Sequence, residues 1–433
     1  MSQQCDRSDA VAVLRRLRDA GHIAYFAGGC VRDELLGLTP KDYDIATDAP
    51  PQRVRELFAN TQAVGAAFGV ILVRHGPSVI EVATFRTDLE YRDGRHPDGV
   101  KFATAQEDAQ RRDFTINGIF LDPIENRVID YVGGQADLKA KLIRAIGNAD
   151  QRFAEDHLRL LRAVRFASRF EMRIEPATAA AIAAHAHQLP RISPERLAEE
   201  LRRMLTPITR GDAFRMLRQF GLLDVLMRFL PEKQTRRPDE TFSLMLALGP
   251  PSHRDDISFG LALAALTLCF RMHASGSYEL RDWLEPKQVR KSIAAMRQTL
   301  RISNEEENAM AGALGFGNLL QGDPTLALLK RSLAKPHAAD ARHLMSALAR
   351  CGLMKDPLNA LLARLVELER GEYAPPPLIT GDDLTAAGAS PGPAFKRALT
   401  EAYDAQLEGR IQTRDEAMKI AMKIITDDSQ PTT

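Results

Sequence analysis

The chain has 433 residues, and its 58 lysines and arginines against 57 aspartates and glutamates give a formal net charge of +1, which by itself does not indicate a nucleic-acid partner. At roughly 150 residues per domain this length predicts two to four domains, and the content of 45% hydrophobic residues excludes a largely disordered chain. The longest apolar run, residues 259–270, is shorter than the roughly 20 residues of a membrane span, and the N-terminus is polar, so we expect a cytoplasmic protein with no membrane segment.

The numbers and positions of cysteine and arginine residues bear on which kinds of binding site the chain can contain. The four cysteines are widely separated and form no C-x-x-C pair, which argues against a disulfide framework and against a zinc site. Arginine outnumbers lysine by 45 to 13, and guanidinium is the better group for bidentate contacts to phosphates and bases. A GC-rich genome gives the same bias.

The pattern of predicted elements changes at about residue 150. Before it, short helical patterns alternate with apolar, β-branched segments such as residues 70–73 and 79–82, which predicts a mixed α/β domain. After it, alanine, leucine, arginine and glutamate recur with helical periodicity, and strand patterns almost disappear. Breaks at residues 206–207, 249–251 and 374–377 separate the helical blocks.

The most informative segment begins with a short apolar strand pattern that ends in Gly28 and Gly29. A helical pattern follows, and a second strand pattern then contains Asp42 and Asp44. Glycines at a strand-to-helix turn let the backbone approach a triphosphate. Side chains alternate along a strand, so the two carboxylates point the same way about 7 Å apart, a spacing able to share divalent cations. An isolated Asp-x-Asp is usually a solvated turn, and the upstream glycine pair is what favours a metal site.

Glu81 is a third acidic candidate. It lies in the middle of an otherwise apolar strand pattern, where a carboxylate is costly to bury without a cation or a donor beside it. Two alternatives remain open, namely a glutamate on an edge strand that faces water, or one that is paired with Arg86.

Six arginines recur at helical spacing within residues 151–173. At roughly 100° per residue they share one half of a single predicted helix, and apolar residues occupy the other half. The six are Arg152, Arg159, Arg162, Arg165, Arg169 and Arg173. Such a face is either a solvated surface, tempered by Glu155 and Asp156, or a cationic ligand-binding face.

Four motifs in order carry a family resemblance. They are Gly28-Gly29-x-Val31-Arg32-Asp33-x-x-Leu36-Gly37, then Asp42-x-Asp44, then Arg111-Arg112-Asp113-Phe114-Thr115-Ile116-Asn117, then Glu155-Asp156-x-x-Arg159-x-x-Arg162-Ala163-x-Arg165-Phe166. Over about residues 20–205 the chain closely resembles the class II tRNA nucleotidyltransferase (CCA-adding enzyme) and bacterial poly(A) polymerase family of the DNA polymerase β superfamily. The resemblance implies an α+β protein, with a polymerase-β-like head built on a mixed sheet, followed by an all-helical neck, body and tail.

The resemblance also implies domain boundaries. The catalytic head is expected over residues 1–140, a neck that recognises the nucleotide base over 141–205, a body over 206–373, and a tail that binds tRNA over 374–433. Residues 378–384 resemble a tail element found in both branches of the family.

Roles for individual residues follow from the resemblance. Asp156 and Arg159 would form pseudo-Watson–Crick hydrogen bonds with the incoming base, and Glu155 would orient Arg159. Cytosine and adenine both present an amino donor beside a ring-nitrogen acceptor, which a carboxylate and a guanidinium satisfy together, whereas uracil and guanine place an oxygen against the carboxylate. The other implied nucleotide-binding residues are Gly28, Gly29, Arg32, Asp33, Arg112, Asp113, Asn117, Arg162 and Arg165, of which the last two would contact the triphosphate and Asp113 or Asn117 the sugar.

The implied reaction is template-independent transfer of nucleotides from CTP and ATP to the 3′ end of tRNA. Two Mg²⁺ ions held by Asp42 and Asp44, with Glu81 as a possible third catalytic carboxylate, would assist attack of the RNA 3′-hydroxyl on the α-phosphate and release of pyrophosphate. No protein partner is expected to be required. Ser193, Arg196 and Glu199 continue the neck motif, or else make an N-cap and an exposed i,i+3 pair.

Complete CCA addition is the favoured activity within this family. Residues 87–98 are polar, contain glycine and proline, and lie between two strand patterns, so they resemble the flexible loop with which CCA-adding enzymes switch from C to A. The candidate loop residues are Tyr91, Asp93, Arg95 and His96. Two features depart from the family pattern: Gly118 where alanine is frequent, and residues 65–70, which lie between the patterns of the two branches. Addition of A alone, addition of CC alone, poly(A) synthesis, and an RNA-binding protein with a decayed site remain as alternatives.

Overall fold

The computed structural model describes residues 6–63, 69–88, 99–228, 240–248, 256–275, 280–320 and 322–428. The chain forms two compact units. The first comprises Met1–Met204 and Asp212–Arg228, and the second comprises Leu205–Gly211 and Phe229–Thr433. Over the ranges given above, no helix combines the length and the apolar character needed to cross a membrane.

The first unit contains a seven-stranded mixed sheet. The strands of this unit are β1 (Ala24–Ala27), β2 (Asp44–Thr47), β3 (Thr61–Ala63), β4 (Val70–His75), β5 (Ser78–Thr84), β6 (Arg86–Asp88), β7 (Val100–Phe102), β8 (Ile119–Asp122), β9 (Arg127–Asp130), β10 (Leu142–Ile143) and β11 (Arg173–Ile174). The sheet order is β3-β4-β5-β2-β1-β8-β9, with β2 and β5 parallel and the other neighbours antiparallel. β6 pairs with β7, and β10 pairs with β11.

The strands predicted at residues 70–73 and 79–82 are confirmed as parts of β4 and β5. In β5 the residues at 78, 80, 82 and 84 are buried, and Val79 and Glu81 between them are exposed. This alternation is what a strand with one face on a core requires. The two strands form a hairpin in which His75 pairs with Ser78.

Helices surround the sheet and continue to residue 228. They are α1 (Arg7–Asp19), α2 (Gly29–Leu35), α3 (Pro51–Leu57), α4 (Ala105–Arg111), α5 (Gly134–Lys139), α6 (Ala149–Glu155), α7 (Leu158–Arg169), α8 (Pro176–His185), α9 (Pro194–Leu205), α10 (Arg210–Gln219) and α11 (Leu222–Leu226). Short 3₁₀ helices span Thr115–Asn117 and Ala186–Arg191. In α1 the residues Ala10, Val13, Leu14 and Leu17 are buried, so one face of the helix packs inward.

The single helix predicted over residues 151–173 is wrong. Helix α6 ends at Glu155, and Asp156 takes an extended backbone conformation with φ −141° and ψ 105°. Its carboxylate accepts a hydrogen bond from the backbone N–H of Leu158 at 3.1 Å, at the start of α7. Such local hydrogen bonds let an aspartate compete with continuation of the helix. The helical spacing of the arginines does not exclude a break of this kind. Arg173 lies in β11, outside both helices.

Among the described residues of the second unit, all regular secondary structure is helical. Its further helices are α12 (Glu240–Ala247), α13 (Phe259–Ser275), α14 (Leu280–Trp283), α15 (Pro286–Leu300), α16 (Asn304–Leu314), α17 (Leu326–Ala334), α18 (Ala338–Arg350), α19 (Lys355–Glu369), α20 (Gly381–Ala386), α21 (Pro393–Leu407) and α22 (Arg414–Asp428), with a 3₁₀ helix at Gly315–Leu320. The longest apolar run of the chain, residues 259–270, is buried in α13, which packs against α12 and α16. Helices α20, α21 and α22 enclose a separate apolar cluster that includes Leu384, Ala398 and Ala421. The four-part division at residues 140, 205 and 373 stays a prediction.

Candidate active site

A cleft of about 580 Å³ lies in the first unit, where β1, β2 and β5 meet α7. Its charged lining residues are Arg32, Arg86, Arg111, Arg112, Arg159, Arg162, Arg165, Arg169, Arg196 and Arg203 together with Asp44, Glu81, Asp113 and Asp156. Ten guanidinium groups against four carboxylates line this cleft, an excess of phosphate-binding donors that the whole-chain charge of +1 does not show. The cleft is therefore suited to a polyanionic ligand.

The glycine turn forms one wall of the cleft. Gly28 follows β1 with φ 71° and ψ −124°, a conformation that L side chains rarely adopt, and α2 begins at Gly29. A Cβ atom added to Gly28 would lie 3.0 Å from Nη1 of Arg112. The backbone conformation favours glycine here, an added Cβ would also crowd the Arg112 guanidinium, and both glycines line the cleft. Their contact with a nucleotide stays a prediction.

Two of the three acidic candidates, Asp44 and Glu81, lie at the sheet side of the cleft, whereas Asp42 is exposed and is not one of the lining residues. Asp44 is the first residue of β2, and Asp42 lies two residues earlier, in a bend rather than in the predicted strand. Tyr43 between them is buried. Glu81 is the register partner of Asp44 in the parallel β2–β5 pair, and both line the cleft. The edge-strand position considered for Glu81 is wrong, because β5 lies between β4 and β2 inside the sheet, but its side chain is exposed as that alternative expected.

Electrostatics at Asp44 fit a cation site. Burial and the charge of Glu81 raise the pKa of Asp44 from 3.8 to about 7, with Arg112 opposing the rise and Asp42 adding to it. Among the described residues, no three His, Cys, Asp or Glu side chains are placed to hold a metal ion by themselves. Mg²⁺ is usually bound by one or two carboxylates while substrate phosphates and water complete its shell. The donors at Asp42 and Asp44 fit that kind of site.

A buried hydrogen-bond network joins the first motif to the third. Arg32, which is 4% exposed, donates to Oδ1 of Asp33 at 2.6 and 2.8 Å and to Oδ1 of Asn117 at 2.6 Å. Asn117 donates to Oδ1 of Asp113 at 2.9 Å, and Arg162 pairs with Oδ2 of Asp113 at 2.6 Å. Burial alone would raise the pKa of Asp113, but Arg162 and the hydrogen bond from Asn117 outweigh it, and the pKa falls to about 2. These predicted nucleotide-binding residues therefore hold one another in place.

Arg112 is fixed by a residue that sequence reasoning missed. Asp108, which is 2% exposed, accepts from Nε and Nη2 of Arg112 at 3.1 and 2.9 Å and from Nε of Arg111 at 2.9 Å. Burial would raise the pKa of Asp108, but the two arginines outweigh it and lower the pKa. The spacing of three and four residues along α4 was the signal that could have identified Asp108.

The predicted base-reading pair lies at the junction of α6 and α7. Nη1 of Arg159 donates to Oε2 of Glu155 at 2.6 Å and to the carbonyl of Arg152 at 2.9 Å. Asp156 accepts from Nη2 of Arg196, at 2.9 Å through Oδ2 and 3.2 Å through Oδ1. Asp156 and Arg159 both line the cleft, and the contact between Glu155 and Arg159 is the one that an orienting glutamate would make.

The neck residues meet partners that the sequence analysis did not foresee. Arg196 reaches Asp156, while Glu199 pairs with Arg203 at 2.8 Å. Arg165 and Glu200, which are 6% and 3% exposed, form an ion pair at 2.6 Å. Arg159 and Arg165 of α7 are buried and Arg162 is half-buried, each with a carboxylate partner, so these three do not form a solvated helix face, whereas Arg169 is exposed.

Two further features of the sequence analysis, the loop residues and Gly118, have different outcomes. The loop residues Tyr91, Asp93, Arg95 and His96, and residues 64–68, lie outside the described residues; β6 and β7, which flank the loop, form an antiparallel pair. Gly118 has a steric explanation, because an added Cβ would lie 2.7 Å from Cγ2 of Val132.

A mixed sheet that presents aspartates beside an arginine-lined cleft is the arrangement of a nucleotidyltransferase. Residues 24–144 match the poly(A) polymerase head domain, and residues 171–233 match a domain described as a probable RNA and SrmB-binding site of polymerase A. The CCA-adding enzyme of Lacticaseibacillus paracasei is 33% identical over 429 residues, which is 99% of this chain and 98% of that protein. Poly(A) polymerase I of Salmonella typhi is 42% identical over 250 residues, which is 55% of this chain and 54% of that protein.

A solved structure extends the similarity to the whole fold. The crystal structure of the Bacillus stearothermophilus CCA-adding enzyme in complex with CTP superposes with a TM-score of 0.69 at 26% identity, covering 97% of this chain and 98% of that one. The chain belongs to the family of CCA-adding enzymes and bacterial poly(A) polymerases. The family and the α+β fold class that its motifs predicted are thus confirmed.

Proposed function

We propose that this protein is a CCA-adding tRNA nucleotidyltransferase, which attaches C, C and A from CTP and ATP to the 3′ end of tRNA without a nucleic-acid template. The observation that carries the proposal is that one cleft contains Asp44 and Glu81 together with Asp156 and Arg159. The first two suit nucleotidyl transfer, and the second two suit recognition of a base edge. Similarity to a CCA-adding enzyme over 99% of the chain supports this activity over the others of the family.

Phosphate chemistry is assigned to the sheet side of the cleft. Asp42 and Asp44 would hold two Mg²⁺ ions, with Glu81 as the neighbouring carboxylate. When bound, the ions supply positive charge that stabilises the attacking and leaving oxygens of the displacement. The RNA 3′-hydroxyl oxygen forms a bond to the α-phosphorus, the bond from that phosphorus to the bridging oxygen breaks, pyrophosphate leaves with the electron pair, and the hydroxyl proton passes to water.

Arginines of the cleft would bind the triphosphate. The side chains of Arg112 and Arg162 are 18% and 31% exposed, so they remain accessible from the cleft. Asp108 and Asp113 fix these two guanidinium groups from behind. Charge-assisted hydrogen bonds from such preoriented groups are strong and cost little further ordering.

Base selection is assigned to Asp156 and Arg159. A carboxylate has about four acceptor positions, and the bonds from Arg196 and from the backbone of Leu158 leave Asp156 with capacity for the amino group of cytosine or adenine. Arg159, oriented by Glu155, would donate to the ring nitrogen. Uracil or guanine would place an oxygen against the Asp156 carboxylate, a penalty of roughly 1–3 kcal/mol.

Poly(A) synthesis is the second candidate. The 42% identity to poly(A) polymerase I supports it, although that similarity spans 55% of this chain. The nucleotide site described above would serve either activity, because adenine is recognised in both. We propose a cytoplasmic location, where tRNA and nucleoside triphosphates meet.

Isosteric substitutions of the acids test the catalytic assignment. Asp42→Asn and Asp44→Asn are expected to abolish Mg²⁺-dependent incorporation of labelled CTP and ATP into tRNA while the circular dichroism spectrum stays that of the wild type. Asp48→Asn is the matched control, because Asp48 is an exposed carboxylate just after β2. Near-normal incorporation by the Asp44 variant would overturn the assignment.

A further inference from the structure

The aromatic ring of Phe166 in α7 lies among three arginines of the cleft, and the centre of the stacked ring of Phe170 beside it lies 4.6 Å from the guanidinium carbon of Arg32. The guanidinium carbons of Arg32, Arg162 and Arg165 are 5.1, 5.2 and 4.1 Å from the Phe166 ring centre. The Phe166 ring is 3% exposed and contributes to the cleft lining. The ring of Phe114 meets it edge-on, with centres 5.9 Å apart and planes at 81°, so its orientation is fixed by packing.

Each of the three arginines also has one carboxylate partner. The pairs are Arg32 with Asp33, Arg162 with Asp113, and Arg165 with Glu200, each at 2.6 Å. A carboxylate neutralises a guanidinium from one side. The negative face of an aromatic ring attracts it from another side and excludes water from the contact.

Mutual repulsion is the reason that a second contact matters. Each guanidinium carbon lies within 5.2 Å of the same ring centre, so no two of them are more than about 10 Å apart. Like charges at that distance, with little water between them, repel one another. A group that attracts all three at once keeps them together on the cleft wall.

Resting on the proposed function, we propose that Phe166 is a positioning residue for the triphosphate: its ring holds Arg32, Arg162 and Arg165 in one array whose accessible member, Arg162, binds the phosphates of CTP and ATP alike. Base selection is assigned to other groups, since Arg159 is oriented by Glu155 at 2.6 Å. Loss of the ring is therefore expected to weaken triphosphate binding without changing which base is chosen.

The test measures binding of CTP, ATP and inorganic tripolyphosphate to the full chain by calorimetry, without RNA so that no turnover occurs. Phe166→Leu removes the ring. Replacing Phe166 with trifluorinated phenylalanine keeps nearly the same shape but removes most of the negative charge on the ring face. Phe214→Leu is the matched control, because Phe214 is a ring of the same unit that is 1% exposed and lies in α10.

The expected result is that Phe166→Leu weakens all three ligands by a similar factor of roughly ten, and that the fluorinated ring weakens them by roughly threefold or more. The Phe214→Leu control should bind normally, and the ratio of CTP to UTP incorporation should stay at the wild-type value in every variant. If Phe166→Leu fails to fold, the fluorinated protein decides the question alone.

Three results would overturn the inference. They are unchanged affinity for tripolyphosphate in Phe166→Leu, normal binding with the fluorinated ring, or a loss confined to one of the two nucleotides. Failure of the proposed function is a separate outcome, since the wild type would then bind neither CTP nor ATP, or, as a poly(A) polymerase, ATP alone. A wild type that binds both nucleotides while Phe166→Leu is unchanged refutes only the role of the ring.

Discussion

The pKa of Asp44 predicts how magnesium binding depends on pH. In the metal-free protein, burial and the charges of Glu81 and Asp42 raise this pKa from 3.8 to about 7, against the opposing charge of Arg112. Below that pH the carboxyl carries a proton, which a cation must displace, and above it the carboxylate is ready to bind. The apparent Mg²⁺ dissociation constant should therefore be constant above about pH 8 and rise up to roughly tenfold per pH unit below about pH 7.

The charge of Glu81 accounts for part of the rise in the pKa of Asp44. A rise from 3.8 to about 7 corresponds to roughly 4 kcal/mol in favour of the protonated form. Glu81 is the register partner of Asp44 on the adjacent strand, and two charges roughly 5 Å apart at an effective dielectric constant of about 20 interact by roughly 3 kcal/mol, an upper bound here because water screens the exposed Glu81. Glu81→Gln is therefore expected to lower the pKa of Asp44 by about one unit.

Calorimetric titration of the full chain with Mg²⁺ from about pH 6 to about pH 8 measures this effect. The pH at which affinity begins to fall should move to lower pH by about one unit in Glu81→Gln, whatever happens to the affinity itself. Asp48→Asn, at an exposed carboxylate outside the cleft lining, should leave the pH at which affinity begins to fall at its wild-type value. Affinity that does not vary with pH, or that begins to fall at the wild-type pH in Glu81→Gln, would refute the reasoning.

Other substitutions separate nucleotide selection from stability. Arg159→Ala should raise incorporation of UTP and GTP relative to CTP and ATP by roughly tenfold or more, and unchanged selection in a four-nucleotide competition would count against base reading. Gly118→Ala should lower the free energy of unfolding by roughly 1–3 kcal/mol, because the added methyl meets Val132, whereas Gly315→Ala, with open space around it, should be neutral or slightly stabilising; similar melting temperatures for both would contradict the steric explanation. Asp113→Asn should cost about 2 kcal/mol at neutral pH. The folded pKa of about 2 lies below 3.8, so this stability is present above about pH 4 and is lost as the pH falls toward 2. Melting curves of both proteins between about pH 7 and about pH 3 measure it, and a difference that stays constant in acid argues against the ion pair.

Short-range features of the site were predictable from sequence. The strand, glycine turn and helix around Gly28 depend on neighbouring residues, and the structure gives Gly28 the positive φ that such a turn requires. The alternation of apolar residues around Glu81 identified β5. The spacing of Asp108 three and four residues before Arg111 and Arg112 also predicts their pairing.

Contacts between distant segments were not predictable. Glu200 is separated from Arg165 by 35 positions in the sequence, and Arg196 from Asp156 by 40, so no local sequence pattern predicts either pair. The helical spacing of the arginines predicted one helix, because spacing alone does not detect an aspartate that ends a helix in the middle of the pattern. Asp156 ends α6 there. Net charge was uninformative for a related reason, since a whole-chain charge of +1 does not show that ten arginines line one cleft, several of them paired with carboxylates beside it.

Product sequencing tests the proposed activity most directly. The substrates are tRNA transcripts that end before CCA, after the first C and after both Cs, supplied with CTP and ATP separately and together. CCA addition predicts that each transcript is extended to CCA and no further when both nucleotides are present, and that ATP alone extends only the transcript ending in CC. A long A tail, a stop at CC, or addition of A alone would contradict the assignment and identify one of the other activities.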